Sequence, residues 1–206
     1  MSEIAEGETI VSKKAELLEA IAGQNRGLLT TEIEKVAILA AISQLEDTNP
    51  TPNPVEAGEL LEGNWRLLYT TSNGLLGLDR FPLLQLGQIY QCIRTSGARV
   101  YNIAEVMGIP FLEGLVSVVA GFKPVSQSRV DVKFERSILG LQRLLNYESV
   151  SEFIKQIEAG QKFSPLDFSI ENREQQGWLD ITYLDGDLRI GRGNEGSVFV
   201  LTKEKQ

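Results

Sequence analysis

Apolar positions divide the chain into two regimes. Up to residue 48 they recur at helical spacing. Val11, Ala15, Leu18 and Ala22, flanked by Leu17 and Ile21, predict an amphipathic helix that ends near Gly23. Thr31 and Glu34 have capping-box spacing and open a second helix, whose apolar stripe is Ile33, Ala37, Ala40, Ala41 and Leu45. The pair is a helical hairpin over 1–48, and two roles are open to it: packing against the rest of the chain, or presenting a face to a protein partner. The segment NPTPNP at 49–54 cannot continue a helix, so 49–56 reads as a Pro-rich linker into a main domain at 57–206.

Past the linker the spacing changes to alternation. Strands are predicted at 64–72, 88–94, 99–107, 115–122, 129–136, 177–184, 187–192 and 197–203, a number that suits a small antiparallel barrel. RVDVKFER carries the cleanest signal: Val130, Val132 and Phe134 face one way, and Arg129, Asp131, Lys133 and Glu135 the other. Before the sixth strand, Ser149 and Glu152 repeat the capping-box spacing and predict a short helix through about Glu158.

The terminal stretch YLDGDLRIGRGNEGSVFVL reads as a meander. Asp185-Gly186 between two alternating runs is a type I′ hairpin signal. Counting outward from that turn pairs Thr182 with Arg189, Ile181 with Ile190 and Leu179 with Arg192. Leu179, Ile181, Tyr183, Leu188 and Ile190 then share the inner face with Arg192, while Asp187 and Arg189 face solvent. A second turn through Gly193 to Gly196 sets Phe199 against Ile190. At the other end of the domain, alternation in LEGNWRLLYTTS directs Trp65, Leu67 and Tyr69 inward, with Gly63 permitting close backbone approach. In a closed barrel the first and last strands are neighbours. Gly63, Trp65 and Arg192 are accordingly the expected closure, the guanidinium covering the indole.

Composition narrows the function. At 42% hydrophobic and 23% charged, the 206 residues are those of a globular protein with one sizeable core. A net charge of -8 argues against nucleic acid as a partner and against simple electrostatic docking on anionic lipid. The chain has no histidine and a single cysteine, Cys92, which removes the common proton shuttle, the usual zinc ligands and any intrachain disulfide. No metal site and no catalytic residue is expected. Asp185 and Asp187 have a sufficient reason in turn geometry, and nothing supplies a nucleophile or a matched acid and base. RGNEG precedes a strand rather than a helix and is a poor phosphate cradle. The first residues read as neither a secretory signal nor a transit peptide, and no apolar run is long enough for a transmembrane helix.

Four stretches together, NRG at 25–27, LLEGNWRLLYTTS at 60–72, GQIYQCI at 87–93 and YLDGDLRIGRGNEGSVFVL at 183–201, resemble the plastid lipid-associated proteins, or fibrillins, in their cyanobacterial form. The resemblance implies a mainly β fold: a lipocalin-like antiparallel barrel of about eight strands behind the N-terminal helical hairpin. It also implies a non-enzymatic protein that binds or carries an apolar isoprenoid such as a carotenoid or quinone at thylakoid or lipid-globule membranes, with a photoprotective or lipid-storage role. The location it implies is the cyanobacterial cytoplasm or the thylakoid periphery, with no cofactor beyond a bound isoprenoid lipid or pigment. On this view the interior residues Trp65, Leu67, Tyr69, Val130, Val132, Phe134, Ile181, Tyr183, Ile190 and Phe199 line a ligand chamber. Leu75, Leu76, Leu78 and Phe81, in the apolar stretch GLLGLDRFPLLQLG, form its mouth or lid. The competing expectation is a scaffold with a filled barrel that binds a partner protein such as an isoprenoid or quinone biosynthetic enzyme.

Overall fold

A computed structural model of the chain describes residues 2–76, 85–107, 112–163, 166–170 and 176–205. Helices α1 (Ser2–Ile21) and α2 (Glu32–Glu46) form the expected hairpin. The capping box of α2 is complete, because the Thr31 hydroxyl accepts from the Glu34 N–H and the Glu34 carboxylate accepts from the Thr31 N–H. The buried stripe differs from the expected one. Leu17 and Ile21 of α1 and Ile38, Ile42 and Leu45 of α2 are buried, whereas Val11, Ile33 and Val36 are exposed.

The loop between the helices is tied to the barrel by the NRG motif. Arg26 donates to the Leu86 carbonyl, and its own carbonyl accepts from the Thr70 N–H at 3.0 Å. Gly27 has φ +109°, and a Cβ there would stand 2.4 Å from the Thr70 carbonyl oxygen, so the motif needs glycine for both conformation and space.

After a one-turn helix α3 (Gly58–Leu61), the strands are β1 (Gly63–Thr70), β2 (Gln85–Arg94), β3 (Arg99–Met107), β4 (Gly114–Pro124), β5 (Arg129–Leu141), β6 (Leu166–Ser169), β7 (Gln176–Leu184), β8 (Leu188–Gly193) and β9 (Val198–Lys203). Among the described residues the pairings between these strands are antiparallel, and β1 pairs with β9, so eight strands close into a barrel. Strand β6 lies outside the ring, paired to the far half of β5. A short helix α4 (Asn73–Leu76) follows β1, and α5 (Val150–Glu158) sits between β5 and β6, its Glu152 N–H donating to the Ser149 hydroxyl.

Three clusters of buried apolar residues organise this architecture. One lies inside the barrel around Trp65, Leu67, Ile181, Leu184 and Leu201. The other two lie on its outer wall, under helices. Cys92, Tyr101, Ile103 and Ile138 pack beneath Phe153, Ile154 and Ile157 of α5. Tyr69, Tyr183, Leu188, Ile190 and Val200 pack beneath α1 and α2. Strands covered on both faces therefore carry apolar residues on both, which blurs the alternation that a half-wet sheet displays.

The meander departs from the expected register. The Asp185 N–H donates to the Leu188 carbonyl, so the two-residue loop is Gly186-Asp187, one position later than predicted, and Gly186 is not in the positive-φ region that a type I′ turn requires. The cause is the Asp185 carboxylate, which accepts from the N–H groups of Asp187 and Leu188, both at 2.7 Å, and so organises the turn as an Asx motif. A bulge at Thr182 adds a second shift: Ile181 opposes Gly191, and Tyr183 opposes Ile190. Moving a two-residue loop by one position shifts the pairing by two and keeps the faces of β8, so the single extra residue at the bulge is what exchanges them. Arg189 points inward and Arg192 outward, the reverse of the expected arrangement. Phe199 lies opposite Gly191 rather than Ile190.

Arg192 forms a bidentate pair with Glu46 at the end of α2, at 2.8 and 2.7 Å, and Glu46 also accepts from the Thr182 hydroxyl at 2.5 Å. Lys14 of α1 reaches Asp185 at 2.8 Å, where the Tyr183 hydroxyl also donates. The charges in the meander thus anchor the helical hairpin. The linker adds to the anchorage: the Asn49 side chain accepts from the Leu184 N–H, and the Thr51 hydroxyl donates to the Leu184 carbonyl. Glu46→Ala removes three charge-assisted or hydroxyl bonds from a half-covered site, and we expect a loss of about 1–2 kcal/mol in urea unfolding. Thr182→Val, which removes only the hydroxyl bond, should cost less.

Two carboxylates give the fold an acid limit. Asp167 is held below the usual 3.8 by its bidentate bond to Arg136, with the Phe163 N–H adding to it. Burial acts to raise Asp185, but Lys14, the two turn N–H groups and Tyr183 together bring it below 3.8. Because both folded values lie below the unfolded value, this stabilisation is complete above about pH 4 and is lost as pH falls through the folded values. The melting temperature should therefore drop on acidification below about pH 4. Asp167→Asn should be less stable than wild type at neutral pH, and the two should converge in acid.

Candidate functional site

The barrel interior holds a cavity of about 260 Å³. Its wall is mostly apolar, with Val130, Val132 and Phe134 from β5, Ile181 from β7 and Phe199 from β9 all lining it. Trp65 and Leu67 belong to the same interior cluster without facing the cavity. Tyr69, Tyr183 and Ile190, expected inside, pack under α1 and α2 instead. For Tyr69 the reason is a bulge between Leu67 and Tyr69 in the pairing with β9. For the other two it is the Thr182 bulge described above. Leu75 and Leu76 lie in α4, immediately after the cavity-lining Ser72, while Leu78 and Phe81 lie outside the described residues.

The closure around Trp65 involves different cations from the one expected. Trp65 is fully buried, and its indole N–H donates to the Leu61 carbonyl at 2.8 Å. Lys203 donates to the neighbouring Leu60 carbonyl at 2.8 Å, so the end of α3 has its last carbonyls occupied. The ammonium of Lys203 and the guanidinium of Arg189 each stand 5.2 Å from the Trp65 ring. Gly63, at φ +132°, carries the chain into β1 beside Lys203, where a Cβ would meet the lysine at 2.9 Å. Arg192 takes no part.

Arg189 is the unusual group. It is 2% exposed, it lines the cavity, and it donates to the Gln91 side-chain oxygen at 2.7 Å. Its Nε has no acceptor. Burial pushes its pKa down to about 9, which leaves it charged at neutral pH. Trp65, Gln91 and Asn102 are direct cross-strand neighbours on β1, β2 and β3, and both amides line the cavity. The interior therefore gathers a cation and two amides on one side of a mostly apolar wall, to which Ser72, Asn194 and Ser197 also contribute. Sequence reasoning passed over Gln91 and Asn102, although each interrupts an apolar inward row: Ile89 and Ile93 around Gln91, Val100 and Ala104 around Asn102. Cys92 faces the outer wall, and burial raises its thiol to about 12, so it is protonated and inert at neutral pH. Among the described residues no cluster of His, Cys, Asp and Glu is arranged to hold a metal ion. Nor, among them, is any helix long and apolar enough to cross a membrane.

Eight antiparallel strands closed around an apolar chamber, preceded by a helical pair, define a lipocalin-like barrel protein. The chain belongs to the PAP_fibrillin family, whose model matches residues 11–202. It is 35% identical to a light-induced chloroplastic protein of Solanum tuberosum, over 93% of this chain and 67% of that protein. It is 34% identical to a chromoplast-specific carotenoid-associated protein of Cucumis sativus, over 95% of this chain and 68% of the relative. A probable plastid-lipid-associated protein 2, chloroplastic, of Arabidopsis thaliana is 34% identical over 93% and 70%. No solved structure matches the chain.

Proposed function

We propose that the chain is a non-enzymatic lipid-associated protein whose barrel holds an apolar isoprenoid-type ligand, a carotenoid, a quinone or a related lipid, at thylakoid or lipid-globule membranes. Its role would be photoprotection or lipid storage. The observation that carries this reading is the cavity itself: about 260 Å³ of mainly apolar space inside a closed barrel, where a purely structural barrel would be filled by side chains. Pockets for small molecules run from roughly 300 Å³ upward, so this one suits a slender chain or part of a longer one. The names of the relatives, carotenoid-associated and plastid-lipid-associated, agree with it.

Extraction of the protein purified from a pigmented host should yield an isoprenoid at near one-to-one ratio by mass spectrometry. Clean protein from that host would reject the reading. The segment after Ser72 is the proposed lid. Replacing Leu75, Leu76 and Leu78 by Ser should reduce liposome flotation of a folded protein, and unchanged flotation would remove the lid from the account.

A second reading, a scaffold that docks a partner protein on the helical hairpin, is favoured by one feature. Val11, Ile33 and Val36 are 68%, 84% and 69% exposed on helices whose opposite faces are buried.

A further inference from the structure

We infer that the molecule accepted by the barrel carries a single carboxylate at the head of an apolar tail, and that Arg189 binds it. The inference rests on the reading of the barrel as a ligand chamber and, among the ligands proposed above, selects a related lipid with an acid head over a neutral carotenoid or quinone. Six other arginines, Arg66, Arg94, Arg99, Arg129, Arg136 and Arg192, each lie within salt-bridge distance of a carboxylate, and all are more exposed than Arg189. The most buried guanidinium of the set has no carboxylate partner among the described residues. It touches a neutral amide oxygen and an indole face, and one of its N–H groups has no acceptor.

Desolvating a cation without a counter-charge is costly, and the cost persists unless something else supplies the charge. The cavity is the place from which it can come, since Arg189 lines it. A carboxylate matches the guanidinium in charge and accepts two parallel N–H bonds. A phosphate or diphosphate brings more negative charge than one arginine neutralises and would leave the surplus buried. A hydrocarbon or a simple alcohol leaves the cation uncompensated. Gln91 and Asn102, side by side in register beside Trp65, add neutral amide groups at the same depth, while Val130, Val132, Phe134, Ile181 and Phe199 offer an apolar surface for a tail.

The test is fluorescence titration of the full chain with cis-parinaric acid and with its methyl ester, which share a tail and differ in head charge. Wild type should bind the acid at least about tenfold more tightly than the ester. Arg189→Leu should abolish that preference while ester affinity stays within about threefold, and Arg189→Lys should retain part of it. Farnesoic acid, farnesol and farnesyl phosphate form a second series that separates an isoprenoid tail from an acyl tail, with the carboxylate expected to bind best in either case. Equal affinity for acid and ester in wild type would overturn the inference and leave the chamber reading standing. Tighter binding of the phosphate, or an acid preference that survives in Arg189→Leu, would do the same. Failure of wild type to bind any member of either series would remove the chamber reading and this inference with it. Should Arg189→Leu not fold, Gln91→Leu, which removes the amide neighbour of Arg189, provides the second variant, with a weakened acid preference expected and an unchanged one counting against the site.

Discussion

Trp65→Ala should cost about 3–5 kcal/mol in urea unfolding followed by circular dichroism. The side chain has no solvent exposure, so its removal leaves a void between α3 and the interior cluster. The void is only part of the loss. The Leu61 carbonyl loses its donor, and two cations lose the ring that each stands over at 5.2 Å. Trp65→Phe separates these effects: it restores much of the volume and an aromatic face but not the N–H, and should recover more than half of the stability. A loss below about 1 kcal/mol for the alanine variant would mean that the barrel floor is not held by this residue.

Arg189→Leu should have the opposite sign. Replacing an uncompensated buried ion by a shorter apolar side chain is expected to stabilise the ligand-free protein by about 1–4 kcal/mol, read as an upward shift of the urea midpoint with unchanged slope. Destabilisation by more than about 1 kcal/mol would show that the bond to Gln91 and the contact with Trp65 outweigh the desolvation of the guanidinium. The two substitutions are coupled because the residues touch. In the Trp65→Ala background the guanidinium has lost its aromatic cover, so Arg189→Leu should stabilise by more than it does in wild type, and strict additivity would argue against the contact.

Much of the architecture is visible in the linear pattern, and the reason is local chemistry. A Thr three residues before a Glu makes a capping box whatever lies around it, and α2 starts where that spacing puts it. RVDVKFER alternates because one face of β5 meets the interior and the other carries Arg129, Glu135 and their partners. The closure of β1 on β9 follows from strand count and inward Trp65, and the ring is complete. The stripes of α1 and α2 were less legible, since residues on both flanks of each stripe are apolar and only the barrel wall selects Leu17, Ile38 and Ile42 over Val11 and Ile33.

What the chain alone determined is where α1, α2, α5 and the eight ring strands lie and that the strands form one barrel, because capping, proline and alternation act over a few residues, whereas α3, α4 and β6 left no such signal. Which face of β8 looks inward was decided by the tertiary structure. A carboxylate capping its own turn moved the loop by one residue, which shifts the pairing by two and keeps parity, and the extra residue bulged at Thr182 then reversed it, so Arg189 entered the chamber and Arg192 turned to Glu46. Strand parity reverses with a single bulged residue, and such an irregularity leaves no mark in hydrophobic periodicity. The polar side of the chamber is therefore a product of packing, assembled from three strands that are distant in sequence.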